Sequence, residues 1–271
     1  MQLKVVCPPT VPYDIGQFKT GASAPRDLPI LGQVRYLCPM QSEEPTGPRQ
    51  PARPLASYID HTLLSPLATE PEIVRLCREA LDHSFRAVCV HGCNLDTARE
   101  MVSGSGVSLA AVVGFPLGAA ATKAKLCEAE ACILAGADEL DMVLNLGWMK
   151  AGNLKAIASE LRLLRETAPD AVLKLILETC YLEDPEKKAA CHLALDAGWD
   201  FVKTSTGFGK GGATLADVRL MKSLAADRMQ VKASGGIRDL EAALAFIEAG
   251  ADRLGTSSGL ALMDAYLKRT S

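Results

Sequence analysis

From Leu55 onward the chain alternates short apolar runs with longer stretches whose apolar positions recur every third or fourth residue, whereas residues 1–54 sustain neither rhythm. A short apolar run bounded by turn residues reads as a buried strand, and the longer spacing reads as a helix with one face on a core. This places strands at residues 58–60, 87–90, 109–113, 139–143, 172–177, 201–203, 230–232 and 253–254. Helices follow at about 69–82, 95–102, 120–134, 153–166, 184–195, 215–224, 240–249 and 260–268. The pattern amounts to eight strand–helix units of roughly 28 residues each.

A recurring fragment supports that count. Leu134-Ala135-Gly136-Ala137-Asp138-Glu139-Leu140, Asp196-Ala197-Gly198-Trp199-Asp200-Phe201-Val202 and Glu248-Ala249-Gly250-Ala251-Asp252-Arg253-Leu254 each put a glycine where a helix ends and an apolar strand directly after it. Glycine suits the left-handed residue that closes a helix, so these are helix-to-strand joints. Strands that are apolar throughout, alternating with amphipathic helices, imply a parallel sheet covered by helices. Eight such units fit a (β/α)8 TIM barrel better than an open doubly wound sheet.

Residues 1–54 contain ten of the chain's 15 prolines, from Pro8 to Pro54. Prolines at that density preclude helix and sheet ladders, so the segment is expected to be a Pro-rich, largely disordered N-terminal extension (residues 1–54) ahead of one barrel domain (residues 55–271). Two alternatives are translation starting at Met40 and an arm used in oligomer contacts.

Composition narrows the function classes. A chain of 271 residues with 48% hydrophobic and 23% charged residues is an ordinary globular protein with a sizeable core. Its net charge of −3 and 5% aromatic content offer neither a basic groove nor a stacking platform, so nucleic acid is not an expected partner. The nine cysteines are odd in number, scattered, and form no CxxC pair, which suggests reduced thiols in a cytoplasmic protein. No membrane partner is expected, because no run of about 18 apolar residues occurs, and no basic-then-apolar leader is visible.

In a TIM barrel the site forms at the C-terminal ends of the strands, so polar residues within or closing the apolar runs are the candidates for chemistry. Three are lysines: Lys174 in Leu173-Lys174-Leu175, Lys203 in Phe201-Val202-Lys203, and Lys232 in Val231-Lys232-Ala233. Asp60 ends the first strand, Asp141 lies in the fourth, and Glu178 is placed with Lys174 in the fifth. Any one lysine could simply pair with a carboxylate and fill space. Three ammonium groups with two carboxylates are costly to bury, and function is the usual reason such a cluster persists.

A second constellation suits phosphate. Thr204-Ser205-Thr206-Gly207-Phe208-Gly209-Lys210 follows the sixth strand, Ser234-Gly235-Gly236 the seventh, and Gly255-Thr256-Ser257-Ser258-Gly259 the eighth. Glycines let backbone amides approach an anion, hydroxyls add donors, and the next helix contributes its dipole. Together the two constellations call for a substrate with a phosphate at one end and a carbonyl at the other. Lys203, with Lys232 as the cation that lowers its proton affinity, is the candidate Schiff-base former, and Asp141 the candidate proton carrier.

Several motifs then carry a resemblance: Asp60-His61-Thr62-Leu63-Leu64, Val113-Gly114-Phe115-Pro116-Leu117-Gly118, Asp138 to Val143, Leu173-Lys174 through Cys180, Val202 to Gly209, Lys232 to Arg238, and Gly255 to Ser258. Together they resemble the deoxyribose-phosphate aldolase family, from about residue 57 to the C-terminus. The resemblance implies a class I aldolase that reversibly cleaves 2-deoxy-D-ribose 5-phosphate to D-glyceraldehyde 3-phosphate and acetaldehyde in deoxyribose phosphate catabolism. No cofactor or metal is implied, and a homodimer is the family-based expectation.

By motif match, Lys203 takes the Schiff-base role, Lys232 the tuning role, Asp141 the proton-transfer role and Lys174 the support of Asp141. Asp60 and Thr62 match residues near the substrate, and Thr206, Gly207, Gly235, Gly236, Ser257 and Ser258 match the phosphate loops. The second βα loop departs from the family: His91-Gly92-Cys93 stands where Asn-Pro is usual. His61 and His91 are expected to be structural, since this chemistry already has its acid and base. Cys89 is a candidate target for reactive aldehydes. Other readings are a transaldolase-like enzyme, a proton-shifting isomerase, or a non-catalytic sugar-phosphate binder; the intact Lys203, Lys232 and Asp141 speak against the last.

Overall fold

The computed structural model describes residues 51–225 and 227–270; the extension expected over residues 1–54 therefore lies outside the described residues up to residue 50. Eight parallel strands, β1 (Ile59–Thr62), β2 (Ala87–Val90), β3 (Ser108–Val113), β4 (Glu139–Val143), β5 (Val172–Ile176), β6 (Phe201–Lys203), β7 (Gln230–Ser234) and β8 (Arg253–Thr256), pair in chain order. β8 returns to pair with β1, through Asp60 opposite Gly255, and the barrel closes. Helices α1 (Glu70–Asp82), α2 (Leu95–Val102), α3 (Thr122–Leu134), α4 (Leu146–Lys150), α5 (Leu154–Thr167), α6 (Asp184–Asp196), α7 (Leu215–Ala225) and α8 (Leu240–Glu248) lie between the strands in sequence, and α9 (Gly259–Thr270) follows β8. Among the described residues no helix is long and apolar enough to cross a membrane.

The expected elements are present with modest shifts. Tyr58 belongs to a 3-10 turn (Leu55–Tyr58), so β1 runs to Thr62 and Asp60 lies inside the strand instead of ending it. α4 is additional: Asn145 accepts the Trp148 amide and nucleates a five-residue helix that a short Leu-Gly-Trp stretch does not advertise. β5 stops at Ile176, so Glu178 belongs to the following loop, where φ is 53°.

Alternation along each strand divides the interior into two regions. Ile59, Val88, Leu109, Leu140, Leu173, Leu175, Val202, Val231 and Leu254 join one large apolar core between strands and helices. Their neighbours point into the barrel, where Cys89, Ala110, Val112 and Leu64 form a small separate apolar cluster. The charged groups of the interior come from β1, β4, β5, β6, β7 and β8, with the Phe201 ring packed among them.

The three recurring joints share one geometry. Gly136, Gly198 and Gly250 all have positive φ, as a helix-ending residue requires. The aspartate two residues later then grips the preceding strand: Asp138 accepts the Leu109 amide, Asp200 the Leu173 amide and Asp252 the Val231 amide. Each joint thus supplies a partner to a backbone N–H that the ladder leaves open.

Candidate active site

Lys174, Lys203 and Lys232 come from β5, β6 and β7 and converge on one carboxylate from β4. Asp141 Oδ1 lies 2.6 Å from Lys174 Nζ, and Oδ2 lies 2.8 Å from both Lys203 Nζ and Lys232 Nζ. Strand register brings them together: Asp141 is opposite Lys174, and Lys203 is opposite Lys232. Asp60 on β1 approaches Lys232 at 2.5 Å. Two further groups complete the layer, Glu139 at 2.5 Å from Lys174, and Arg253 at 2.5 Å from Asp60 and 2.9 Å from Glu139.

Sequence reasoning missed Glu139 and Arg253. Glu139 could have been found from strand alternation, since it lies two residues before Asp141 and so shares its face. Arg253 carries no such signal in a strand expected to be two residues long; only barrel closure turns it toward Asp60.

Burial acts on every group here, and the neighbours decide which way each one moves. For Lys203 burial comes first and the Lys232 ammonium adds to it; Asp141 opposes, and the amine is held below the usual lysine range. Burial would likewise lower Lys232, but Asp141 and Asp60 together outweigh it, so this lysine stays charged. Lys174 is raised in the same way by Asp141 and Glu139. Burial would raise Asp141, and the surrounding lysines, Lys174 first, reverse that and hold it well below the carboxylate range.

Above this layer, at the C-terminal ends of the strands, opens a cavity of about 490 Å³. Lys203 lines it, together with Thr62, Thr206, Gly207, Gly235, Gly236 and Ser257. Asp60, Asp141, Lys174 and Lys232 lie beneath the floor. Lys203 is 3% exposed, while Lys174 and Lys232 are fully enclosed, so of these three amines the one lowered in proton affinity is the one that reaches the cavity. Ser258 does not line this cavity but a neighbouring one beside α1, with His61 and Glu79; its amide donates to Thr256 Oγ1 (2.9 Å).

The loops over β6 and β7 touch backbone to backbone. A Cβ on Gly212 would sit 2.2 Å from the Gly235 carbonyl oxygen, and Gly235 itself has φ +85°. Only glycine permits this approach. Glu178 secures the β6 loop from the other side: Thr206 donates both its amide, at 3.3 Å to each carboxylate oxygen, and its hydroxyl. The left-handed Glu178 backbone stores strain of about 1–3 kcal/mol, which that grip offsets. Arg238, unassigned from the sequence, also lines the cavity and adds an exposed cation on the side of the β7 loop.

Neither histidine lines the cavity. His61 donates to Glu79 of α1 (Nε2 to Oε2, 2.7 Å), and burial holds it below its usual range despite that partner. His91 Nε2–H donates to the Leu64 carbonyl at 3.0 Å and its ring meets Phe115 edge-on, so the departing second loop braces the cavity wall. Cys89, the candidate target for aldehydes, is fully buried beside Leu64 and does not line this cavity, and burial with nearby Asp141 pushes its thiol up. Among the described residues, no cluster of His, Cys, Asp or Glu is arranged to hold a metal.

Fold and cavity define the class, a TIM-barrel enzyme whose C-terminal face presents a buried lysine beneath glycine-rich loops. A sequence model described as DeoC/LacD family aldolase matches residues 55–265. The deoxyribose-phosphate aldolase of Deinococcus radiodurans is 51% identical over 209 residues, 77% of this chain and 95% of that one. That of Thermococcus gammatolerans is 50% identical over 214 residues, 78% and 95% of the two chains. Among solved structures, one described as "QR15, an Aldolase" superposes with a TM-score of 0.77 at 43% identity, covering 80% of this chain and 97% of its own. The deoxyribose phosphate aldolase of Aeropyrum pernix, described as a unique tetrameric structure, gives a TM-score of 0.73 at 38% identity, covering 79% and 92%. The chain belongs to the DeoC/LacD aldolase family, and it is an enzyme of carbon–carbon bond cleavage and formation.

Proposed function

We propose that this aldolase reversibly cleaves 2-deoxy-D-ribose 5-phosphate to D-glyceraldehyde 3-phosphate and acetaldehyde, through a Schiff base on Lys203, in deoxyribose phosphate catabolism. The observation that carries the reading is the pairing just described: of three clustered lysines, the single one on the cavity is also the one whose proton is least favoured. A neutral amine there is a nucleophile. Lys203 Nζ adds to C1 of the open-chain sugar, water leaves, and the iminium becomes an electron sink. A base removes the proton of the C3 hydroxyl, the C2–C3 bond breaks, and its electron pair moves to C2 as an enamine. Protonation at C2 and hydrolysis release acetaldehyde and restore Lys203.

Asp141 is assigned the proton transfers, directly or through water, since it bonds the reacting amine. Lys232 disfavours a charge on Lys203, and Lys174 holds Asp141 ionised. Thr206, Gly207, Gly235, Gly236 and Ser257, helped by Arg238, are assigned the phosphate; Asp60 and Thr62 support the reacting end. Ser258 acts there only through its loop. No cofactor takes part in this scheme. The names of the relatives support the substrate, and the barrel, residues 55–271, is assigned the whole activity, as a cytoplasmic homodimer that sedimentation would check.

Incubation with acetaldehyde and borohydride, followed by digestion and mass spectrometry, is expected to place an ethyl group on Lys203. Lys203→Ala should lose both adduct and cleavage. Active protein with no adduct at Lys203 would sink the mechanism.

A further inference from the structure

We propose that Arg253 and Glu139 set the charge count of the barrel interior, and so leave Lys203 as its one uncharged amine. The inference rests on the Schiff-base reading above and extends it to two residues that touch no substrate. Arg253 opens β8 and lines a different cavity, of about 500 Å³, at the opposite end of the barrel beside the first residues of β5, β6 and β7, Val172, Phe201 and Gln230. It is a positioning residue, acting through Asp60 and Glu139.

Three carboxylates occupy the interior, Asp60, Glu139 and Asp141, and four cationic side chains meet them. A guanidinium does not release its proton in a protein, so Arg253 always takes one of the four places. Lys174 lies between two carboxylates, Glu139 at 2.5 Å and Asp141 at 2.6 Å. Lys232 also lies between two, Asp60 at 2.5 Å and Asp141 at 2.8 Å. Lys203 has one carboxylate contact, an oxygen it shares with Lys232.

Arg253, Lys174 and Lys232 thus already balance the three carboxylates. A fourth charge would stand uncompensated in the buried layer, where an unpaired ion is strongly disfavoured. The group with fewest partners gives up its proton.

Among the described residues no other charged side chain forms an ion pair with this layer: in the cavity below Arg253, Asp200 pairs with Arg165 and Asp252 with Lys222, while Arg53, Arg86, Asp227 and Arg228 are solvent-exposed. From β2 comes Cys89, whose thiol is kept neutral by burial; β3 contributes Ala110 and Val112. Above the layer, Glu178 is committed to Thr206 and forms no ion pair with the interior cations, and Arg238 is solvent-exposed.

The test is the pH dependence of imine trapping on Lys203, with acetaldehyde and cyanoborohydride as the probe. The neutral amine adds to the carbonyl carbon, water leaves, and hydride from cyanoborohydride reduces the iminium to a secondary ethylamine read by mass spectrometry. In Arg253→Gln one cation is gone, Lys203 keeps its proton, and the acid limb of the profile moves up by about one pH unit or more. Glu139→Gln removes a carboxylate and moves the limb down. The double variant restores the count and returns the limb toward that of the unaltered protein.

A residue with only a structural role would lower the rate without moving the limb. Folded Arg253→Gln with an unmoved limb overturns the proposal, as do two single variants that shift the same way. Should Arg253→Gln fail to fold, Glu139→Gln and the double variant carry the test by their opposed positions, and Arg253→Lys must leave the limb in place. Adduct formation at a residue other than Lys203 in the unaltered protein overturns the Schiff-base reading and this count with it; adducts on Lys203 with unmoved limbs remove the count alone.

Discussion

Asp141 holds three lysine side chains with two oxygens, and the division between them separates the lysines' behaviour. Oδ1 serves Lys174 alone, whereas Oδ2 is shared by Lys203 and Lys232. Two amines on one oxygen compete for its charge, and the better-supported one keeps its proton: Lys232 has Asp60 as well. Removing that competitor should hand the oxygen to Lys203. In Lys232→Leu, Lys203 is then expected to hold its proton to higher pH, so that cleavage requires more alkaline conditions. An unchanged pH–rate profile in folded Lys232→Leu would show that Lys232 does not tune Lys203.

At the scale of elements, loops are held to strands by a few close approaches, and these were only partly legible in the sequence. Gly136, Gly198 and Gly250 could be read as helix ends because a glycine before an apolar run has few other meanings. What the aspartate of each joint grips could not, since its partner strand lies tens of residues away. The buried pair of Lys125 on α3 and Glu160 on α5, at 2.7 Å, was likewise hidden, because a lysine in a helix usually faces water.

The contact of Gly212 with Gly235 bears most directly on ligand binding. Gly212→Ala puts a methyl against the Gly235 carbonyl and forces the β7 loop away from the β6 loop. Losing one charge-assisted contact to phosphate costs about 1.5–3 kcal/mol, or roughly tenfold or more in affinity. KM for the phosphorylated sugar should rise by about that factor, with kcat and the reaction of unphosphorylated deoxyribose little changed. An equal loss on both sugars would detach these loops from phosphate.

For the molecule as a whole, the charged interior ties stability to acid. Asp60 titrates at about 2 in the folded chain: burial would raise it, and Arg253, Lys232 and Lys174 outweigh that. Glu139 and Asp141 are lowered as well. In the unfolded chain such groups titrate near pH 4, so the folded state gains stability above about pH 4 and loses it as pH falls toward 2. Urea midpoints should hold between pH 7 and 5 and fall steeply between about pH 4 and 2.5; a flat profile to pH 2.5 would contradict ionised interior carboxylates.

The sequence by itself determined the eight strand–helix units, the barrel and the lysine-bearing strands, because strand and helix periods are local properties of the chain. It also marked the glycine-rich loops, whose backbone freedom is visible residue by residue. Only the tertiary structure decided which lysine meets the cavity, that Glu139 and Arg253 join the cluster, and that Cys89, at the end of an apolar run, is sealed. Those outcomes depend on strand tilt and closure, which set the depth of each inward side chain, and on Coulomb interactions among groups from β1, β4, β5, β6, β7 and β8 that no local pattern encodes.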